Sequence, residues 1–568
     1  MTNLAKIIDI ETNRAATVIW MVAVSDIGSG KVEWATNREE LKKLIEGCDI
    51  FIGHNLLSFD VPILNKLWKM EISLTNCIDT LVMSRLWNPA LEGGHSLENW
   101  GRILRSPKGN FVDFDSGLSE KMIEYCVQDV KLTEKVYNYL YEQFQKDKFS
   151  MESLEIEHLY RIALDKQEKH GFKFDVDEAR SLLRDWETIA TVLKSEVEHY
   201  YEPTVVQLKT KTKIVPFNPA SRQQVADRLI KRGWKPALWT DPGNPKKKLS
   251  TANKKPKSQP VVNDEILEEL KKTMPEVGTL ANLFTLNKRI AQLRKWLELV
   301  DENGFVHGSV ISCGAISGRC THSNPNMAQV PATDKPYGAQ CRSLWIPSSP
   351  DRVLVGIDAS GLELRMLAHY MGDASYIETV VSGKQEEGTD VHTRNQKMAG
   401  LSTRNQAKTF IYAFLYGAGA EKIGSIVGGG AAEGKRLLDK FLKAMPALAK
   451  LRDKVAKIAE SGMIPALDGR KLRIRHAHAA LNQLLQGGGS IVMKKARILF
   501  EDSLTDLGID ATIVADVHDE WQVDCSEEDA EMVGELGVAS IAAAGEHFKM
   551  KCPLTGEYKI GKSWKDTH

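Results

Sequence analysis

Asp358-Ala-Ser-Gly-Leu-Glu363-Leu-Arg365 follows the apolar run Val353-Leu-Val-Gly-Ile357 and opens a helix-like stretch, Leu362 to Met371. The run has strand length, so Asp358 falls at a strand-to-helix corner. A second carboxylate lies in Ala511-Thr-Ile-Val-Ala-Asp-Val-His518-Asp519-Glu520-Trp-Gln-Val-Asp524. Apolar residues alternate on both sides of His518-Asp519-Glu520, the pattern of a tight hairpin with Asp519 projecting from its turn. Carboxylates held close on a rigid sheet repel one another, and hard divalent cations such as Mg²⁺ relieve that repulsion. Two such ions can clamp the attacking and leaving oxygens of a phosphoryl transfer. Taken singly, Asp358 also suits a helix N-cap and Asp519 an ordinary turn residue.

The weight shifts with Arg404-Asn-Gln-Ala-Lys408-Thr-Phe-Ile-Tyr412-Ala-Phe-Leu-Tyr416-Gly417. Arg404, Lys408, Tyr412 and Tyr416 recur every fourth residue and form one slowly drifting stripe on a helix. Cationic donors suit a triphosphate and flat rings suit a base, so the stripe is ordered like a nucleoside triphosphate laid along the axis.

In these three segments, and in Gly318-Arg319, Asn324-Pro-Asn-Met-Ala-Gln-Val-Pro331 and His478-Ala-Ala-Leu-Asn482-Gln-Leu-Leu-Gln486, the chain resembles family A DNA polymerases, nearest the replicative branch of short-tailed bacteriophages. The resemblance implies a right-hand polymerase with an α+β palm and helical thumb and fingers. It makes Asp358, Asp519 and the Ala359 backbone ligands of two Mg²⁺ ions, with Mn²⁺ a possible substitute, and Glu520 an assisting carboxylate. Arg404 and Lys408 would hold the triphosphate as charge moves toward pyrophosphate. Tyr412 would stack near the incoming sugar and base, Tyr416 would lie at the templating position, and Glu363 would exclude a 2′-hydroxyl. Arg319 and Gln486 would donate to minor-groove acceptors, which are largely common to all base pairs. His392, Asn482 and His518 join the implied substrate contacts. One departure is Gly361, where many repair-type relatives carry glutamine.

A second acidic set begins at Lys6-Ile-Ile-Asp9-Ile-Glu11-Thr12, whose two acids at i and i+2 of a strand emerge on one face. Asp60 ends Gly53-His-Asn55-Leu-Leu-Ser-Phe-Asp60, and Tyr125-Cys-Val-Gln-Asp129 sets a tyrosine and an acid one helical turn apart. The set is similar to that of DEDDy 3′-to-5′ exonucleases, which have an α/β, RNase H-like fold. That similarity implies two metals on Asp9, Glu11, Asp60 and Asp129, Tyr125 orienting the attacking water, and Asn55 touching the single-stranded end.

With 568 residues, 42% apolar and 26% charged, the chain has the size for several cores. Its 75 basic and 75 acidic residues cancel, but residues 1–148 hold 17 basic and 21 acidic side chains, so the remainder tilts positive. The eight cysteines show no Cys-x-x-Cys spacing, which disfavours a structural zinc site and suits a reducing cytoplasm. Neither a signal peptide nor a membrane span is legible.

The expected division is an exonuclease domain at 1–148, a helical linker and thumb at 149–300, palm at 301–370, fingers at 371–478 and palm again at 479–568. Ser221 is expected to cap a helix. Lys246, Lys247, Lys248, Lys254, Lys255 and Lys257 read as a basic loop that is either a solvated linker or a nonspecific, salt-sensitive grip on DNA. The proofreading motif at the very start leaves no 5′-nuclease domain before it, which favours replication over excision repair. Expected partners are primer-template DNA, dNTPs and a replicative helicase or primase. Tyr201–Val215 looks too short for a thioredoxin-binding insertion, so thioredoxin is not expected. The alternatives are a repair or gap-filling polymerase of the same family, and an exonuclease or DNA-binding protein whose polymerase half is structural.

Overall fold

A computed structural model describes residues 4–207, 212–236, 238–240 and 258–568. The lysine-rich loop lies outside the described residues.

The amino-terminal part is built on a five-stranded sheet of β1 (Ala5–Thr12), β2 (Ile19–Asp26), β3 (Val32–Ala35), β4 (Ile50–Gly53) and β5 (Cys77–Asp79). Their order is β3-β2-β1-β4-β5; β1 pairs antiparallel to β2 and parallel to β4. Strand periodicity divides β1 between two cores. Ile8 and Ile10 pack with Val22, Val24 and Phe51 on one face. Ile7 packs with Met21, Ala23 and Ile52 against Met122, Cys126 and Val130 of the helix α1 (Glu120–Asp147). Asp9 and Glu11 share the parity of Ile7 and are therefore carried toward α1. Ser119 caps α1, accepting from the Met122 N–H.

Three long helices follow: α2 (Met151–His170), α3 (Val176–Tyr200) and α4 (Val277–Leu299). The expected cap at Ser221 is present, its side chain accepting from Gln224 N on the helix Arg222–Lys231. A strand pair, Thr204–Gln207 with Thr212–Val215, lies within Tyr201–Val215.

The second sheet is antiparallel and comprises β6 (Arg352–Ala359), β7 (Ala511–Val517), β8 (Glu520–Ser526) and β9 (Gly556–Gly561), in the order β7-β8-β6-β9. Val355, Ile357, Trp521 and Val523 are buried in one core with residues of the helices α5 (Leu362–Met371), α8 (Ala480–Leu507) and α9 (Ala530–His547). Between α5 and α8 in sequence stand α6 (Val391–Ala399) and α7 (Arg404–Leu415). A capping box starts α7, with Thr403 and Gln406 each closing on the other's backbone.

Gly487, Gly488 and Gly489 let α8 approach its neighbours closely. A Cβ at Gly488 would lie 2.8 Å from Met366 Sδ of α5, and one at Gly487 2.5 Å from Leu472. Helix propensity is given up here for contact.

A fully buried ionic cluster joins α2 to this core. Glu157 Oε1 accepts from Arg470 and from Lys494, each at 2.6 Å, and Arg470 also grips Asp468. Lys494 Nζ and Ser490 Oγ each donate to the Gly318 carbonyl at 3.0 Å, fixing the backbone next to Arg319. Among the described residues no helix is long and apolar enough to cross a membrane.

Candidate active sites

Asp358 is the penultimate residue of β6, and its register partner across the ladder is Glu520, the first residue of β8. Asp519 occupies the two-residue turn between β7 and β8, where His518 takes a left-handed φ of 64°. The Ala359 N–H donates to the Asp519 carbonyl at 2.9 Å, tying strand end to turn. The sheet thus brings the two sequence-distant acids to one edge. Burial, then the charge of Asp519 and Glu520, raises the Asp358 carboxyl to about 7; burial and Glu363 raise that of Asp519 to about 6.

Glu520 differs from both. It accepts from Trp564 Nε1 at 2.5 Å and Gln522 Nε2 at 2.8 Å, with His568 Nδ1 at 3.0 Å and Arg342 at 3.5 Å. Burial opposes its ionisation, but contacts from His568, Arg342 and Trp564 hold it below the ordinary range. Its oxygens already occupied by these donors, it is a fixed anion behind the pair.

Gly361 precedes α5 with a left-handed φ of 60°. Glycine meets that conformation without the strain a glutamine would carry. Two residues on, Glu363 accepts from Arg319 and from the Tyr416 hydroxyl, both at 3.1 Å. Three segments expected to touch substrate are thereby linked.

The cation–aromatic stripe is helical from Arg404 to Leu415, and Tyr416 is the C-cap, nearly half exposed. Its last member thus stands just beyond the helix. Arg404 is held by Asp390, the N-cap of α6, with Nε at 3.0 Å and a terminal nitrogen at 2.9 Å. Asp390 escaped the sequence reading, although Asp390-Val-His392 carries a cap signature. The His392 ring lies 6.1 Å from that of Tyr412, and its Nδ1 is buried without a partner. Lys408 is exposed. Asn482 and Gln486 sit one turn apart on α8, both half-buried.

At the amino-terminal sheet, Asp9, Glu11, Asp60, Tyr125 and Asp129 line one cleft of about 250 Å³ with His54, Phe59 and Lys108. Asp60 starts a short helix and accepts from the Ile10 N–H at 3.1 Å. Burial and the neighbouring acids push Asp9 up to about 7 and Glu11 to about 9, while Asp60 and Asp129 are raised too. Lys108 was missed from the sequence. Its ammonium lies 2.7 Å from Asp129 and 4.8 Å from the Tyr125 ring centre. Asn55, at a left-handed φ of 67°, is held through its N–H by Asp79 at 2.9 Å, and the Asp79 N–H donates to His158 of α2.

Comparisons with known proteins agree with this architecture. The profile described as "DNA polymerase family A" matches residues 188–566. The DNA-directed DNA polymerases of Enterobacteria phage T3 and Escherichia phage T7 are each 32% identical, over 91% of this chain and 92% of theirs. DNA polymerase I of Aquifex aeolicus is 26% identical over 93% of this chain and 89% of its own. The POL domain of Pol1 from M. smegmatis, solved in complex with DNA primer-template and dNTP, superposes with a TM-score of 0.78. That likeness covers 100% of this chain and 96% of the other at 17% identity, and speaks to fold alone. The chain belongs to DNA polymerase family A. It is a DNA-directed DNA polymerase of the kind found in these phages.

Proposed function

We propose that this polymerase is replicative and proofreads its own product, with synthesis at the Asp358–Asp519 edge and 3′-to-5′ hydrolysis in the Asp9–Asp129 cleft. Polymerases of this family are metal-dependent. Both acid sets fit divalent ions, preferably Mg²⁺, with Mn²⁺ a substitute. Burial and mutual repulsion raise the Asp358 carboxyl, and that of Glu11 even with the Lys108 ammonium in its cleft, and Asp129 Oδ1 is buried without a hydrogen-bond partner. Asp358, Asp519 and the Ala359 backbone would hold two ions; Asp9, Glu11, Asp60 and Asp129 would hold the other two. When bound, such ions activate an attacking oxygen and neutralise the leaving one.

The remaining work falls to the chain itself. Arg404, preset by Asp390, Lys408 and His392 receive the triphosphate. Tyr412 packs under sugar and base, and Tyr416 guards the template side. Glu363, braced by Arg319 and Tyr416, leaves no room for a 2′-hydroxyl, which makes dNTPs the substrates. Arg319, Gln486 and Asn482 test the minor groove of the new pair, with His518 beside the primer end. In the cleft, Tyr125 orients water and Asn55 steadies the frayed strand.

The proposed division keeps an exonuclease domain to residue 148, linker and thumb to 300, palm at 301–370 and 479–568, and fingers between. Primer-template DNA is the working partner, with a replicative helicase or primase alongside. Thioredoxin is not a subunit.

The observation that carries the proofreading reading is the convergence of four acids and a tyrosine, from three separate segments, on one cleft. The test is primer extension and single-strand degradation by Asp9→Ala/Glu11→Ala. Extension should persist while degradation is lost, and unchanged degradation would remove these residues from the nuclease. Product lengths on a primed single-stranded circle with an enzyme trap would separate a replicative from a gap-filling enzyme.

A further inference from the structure

Residues 104–118, between the helix Leu97–Ile103 and α1, form neither helix nor strand, yet they are pinned along their length. The Pro107 carbonyl accepts from Gln128 of α1, the Val112 carbonyl from Arg14 at 3.0 Å, and the Phe114 carbonyl from Trp20 Nε1 at 2.8 Å. The Phe111 and Phe114 rings pack on Tyr125 with centroids 5.8 and 6.2 Å away. Gly109 lets the segment pass close by: a Cβ there would lie 3.3 Å from the Tyr125 ring and 2.9 Å from Gln128 Oε1. Lys108 is thereby delivered to a set place, unlike a lysine on a free surface loop, whose long stem is costly to order. It is the only lysine or arginine among the residues that line the nuclease cleft, and burial lowers His54, the one other basic side chain there, to about 4, so that it is neutral near pH 7. The Lys108 ammonium carries three donors. Asp129 takes one at 2.7 Å, and the Tyr125 ring centre lies 4.8 Å away. The side chain is 23% exposed, against 3% for that of Asp129, so a donor can still turn to a strand in the cleft. An entering strand end brings phosphates, one negative charge each, against a wall of four carboxylic acids.

We propose that Lys108 is a substrate-contacting residue of the nuclease, its ammonium passing from Asp129 to a non-bridging oxygen of the phosphodiester at the strand end. The flexible four-carbon stem gives that reach, and the ammonium meets phosphate as a point charge. Lys108 holds Asp129 in the free protein and releases it as the strand binds, so one carboxylate serves both as its partner here and as an ion ligand in the proposed reaction. No covalent bond forms or breaks in this transfer; one charge-assisted hydrogen bond replaces another. The contact carries no sequence information, because phosphates are common to every strand. The part in hydrolysis rests on the proofreading reading; the contact with the strand does not.

Binding, measured where nothing is cut, separates a strand contact from a mere support. In the full-length Asp9→Ala/Glu11→Ala protein, fluorescence anisotropy follows a labelled oligothymidylate in Mg²⁺ over a range of salt concentrations. Adding Lys108→Met should raise the Kd about tenfold, the scale of one hydrogen bond to a charged group, and make the slope of log Kd against log salt shallower by about 0.7. Lys108→Arg keeps the charge and should restore most of both. Equal affinity and slope with and without Lys108 would overturn the proposal, as would a slope that stays shallow in Lys108→Arg. With Asp9 and Glu11 intact, Lys108→Met should raise KM for single-strand degradation in Mg²⁺ about tenfold, with kcat changed less. A loss confined to kcat would make Lys108 a support for Asp129 and Tyr125 alone and would also overturn the contact. Primer extension by each Lys108 variant certifies its fold. If the wild type degrades nothing in Mg²⁺, the proofreading reading fails, and the anisotropy comparison still decides the role of Lys108.

Discussion

Glu363 shows how much a single side chain can hold. Two hydrogen bonds, from Arg319 and Tyr416, fix its carboxylate at the edge shared with Asp358 and Asp519. Glu363→Ala should therefore admit ribonucleotides and also loosen Arg319. Single-nucleotide kinetics should show the ribo-to-deoxy ratio of kcat/KM rising by about tenfold or more, the scale of a lost steric and polar contact; an unchanged ratio would place the barrier elsewhere. Titration offers a second residue-scale outcome. In metal-free protein the folded values of Asp9 (about 7), Glu11 (about 9) and Asp358 (about 7) lie above their unfolded values near 4. The folded state then binds more protons, so these groups' contribution is full below the unfolded value and is lost as pH rises through the folded one. Melting temperatures in chelator should fall as pH climbs from about 5 toward 9, and Mg²⁺ should restore more at the alkaline end. A magnesium gain that ignores pH would separate these acids from ion binding. The acids themselves were legible because strand and turn patterns are local. Lys108 was not, since it comes from an irregular segment and meets Asp129 only through the fold.

At the scale of elements, helix periodicity placed Arg404, Lys408 and Tyr412 on one face, but Tyr416 falls at the C-cap, where Gly417 ends the run with a left-handed φ of 73°. Repetition every four residues predicts a face; it does not say where the last turn stops. Asp390 was missed for a related reason: its cap role is local, whereas its hold on Arg404 depends on how α6 packs beside α7. The glycine run of α8 tests packing directly. Gly488→Val would drive a side chain into Met366 and Tyr370 of α5, the helix that carries Glu363. Overpacking of this kind costs about 1–3 kcal/mol. The expected result is a lowered melting temperature together with a raised KM for dNTP, measured by thermal unfolding and steady-state extension. A melting temperature equal to wild type would mean that α5 and α8 yield easily, and that their close approach does not set the site.

Across the whole molecule, two adjacent residues of α2 reach toward opposite sites. Glu157 pairs with both Arg470 and Lys494, Asp468 supplying the second negative charge, and Lys494 pins Gly318 beside Arg319. His158 receives the Asp79 N–H, and Asp79 in turn holds the backbone of Asn55. No sequence pattern announces this, because Glu157 and Lys494 are 337 residues apart and each alone reads as a surface charge on a helix. Two substitutions should therefore behave differently. Asp358→Asn removes an acid from one sheet edge and should abolish extension while single-strand degradation continues, since the cleft at Asp9 is built from other segments. Glu157→Ala strips the shared anion from a pair of buried cations, a loss that costs about 3–5 kcal/mol, and should lower the melting temperature and depress both activities together. Glu157→Gln keeps an acceptor oxygen without the charge and should fall between the two in stability. Extension and degradation rates measured on all three proteins would decide the matter: if Glu157→Ala lost extension alone, α2 would be a support for the palm and not a brace common to both sites.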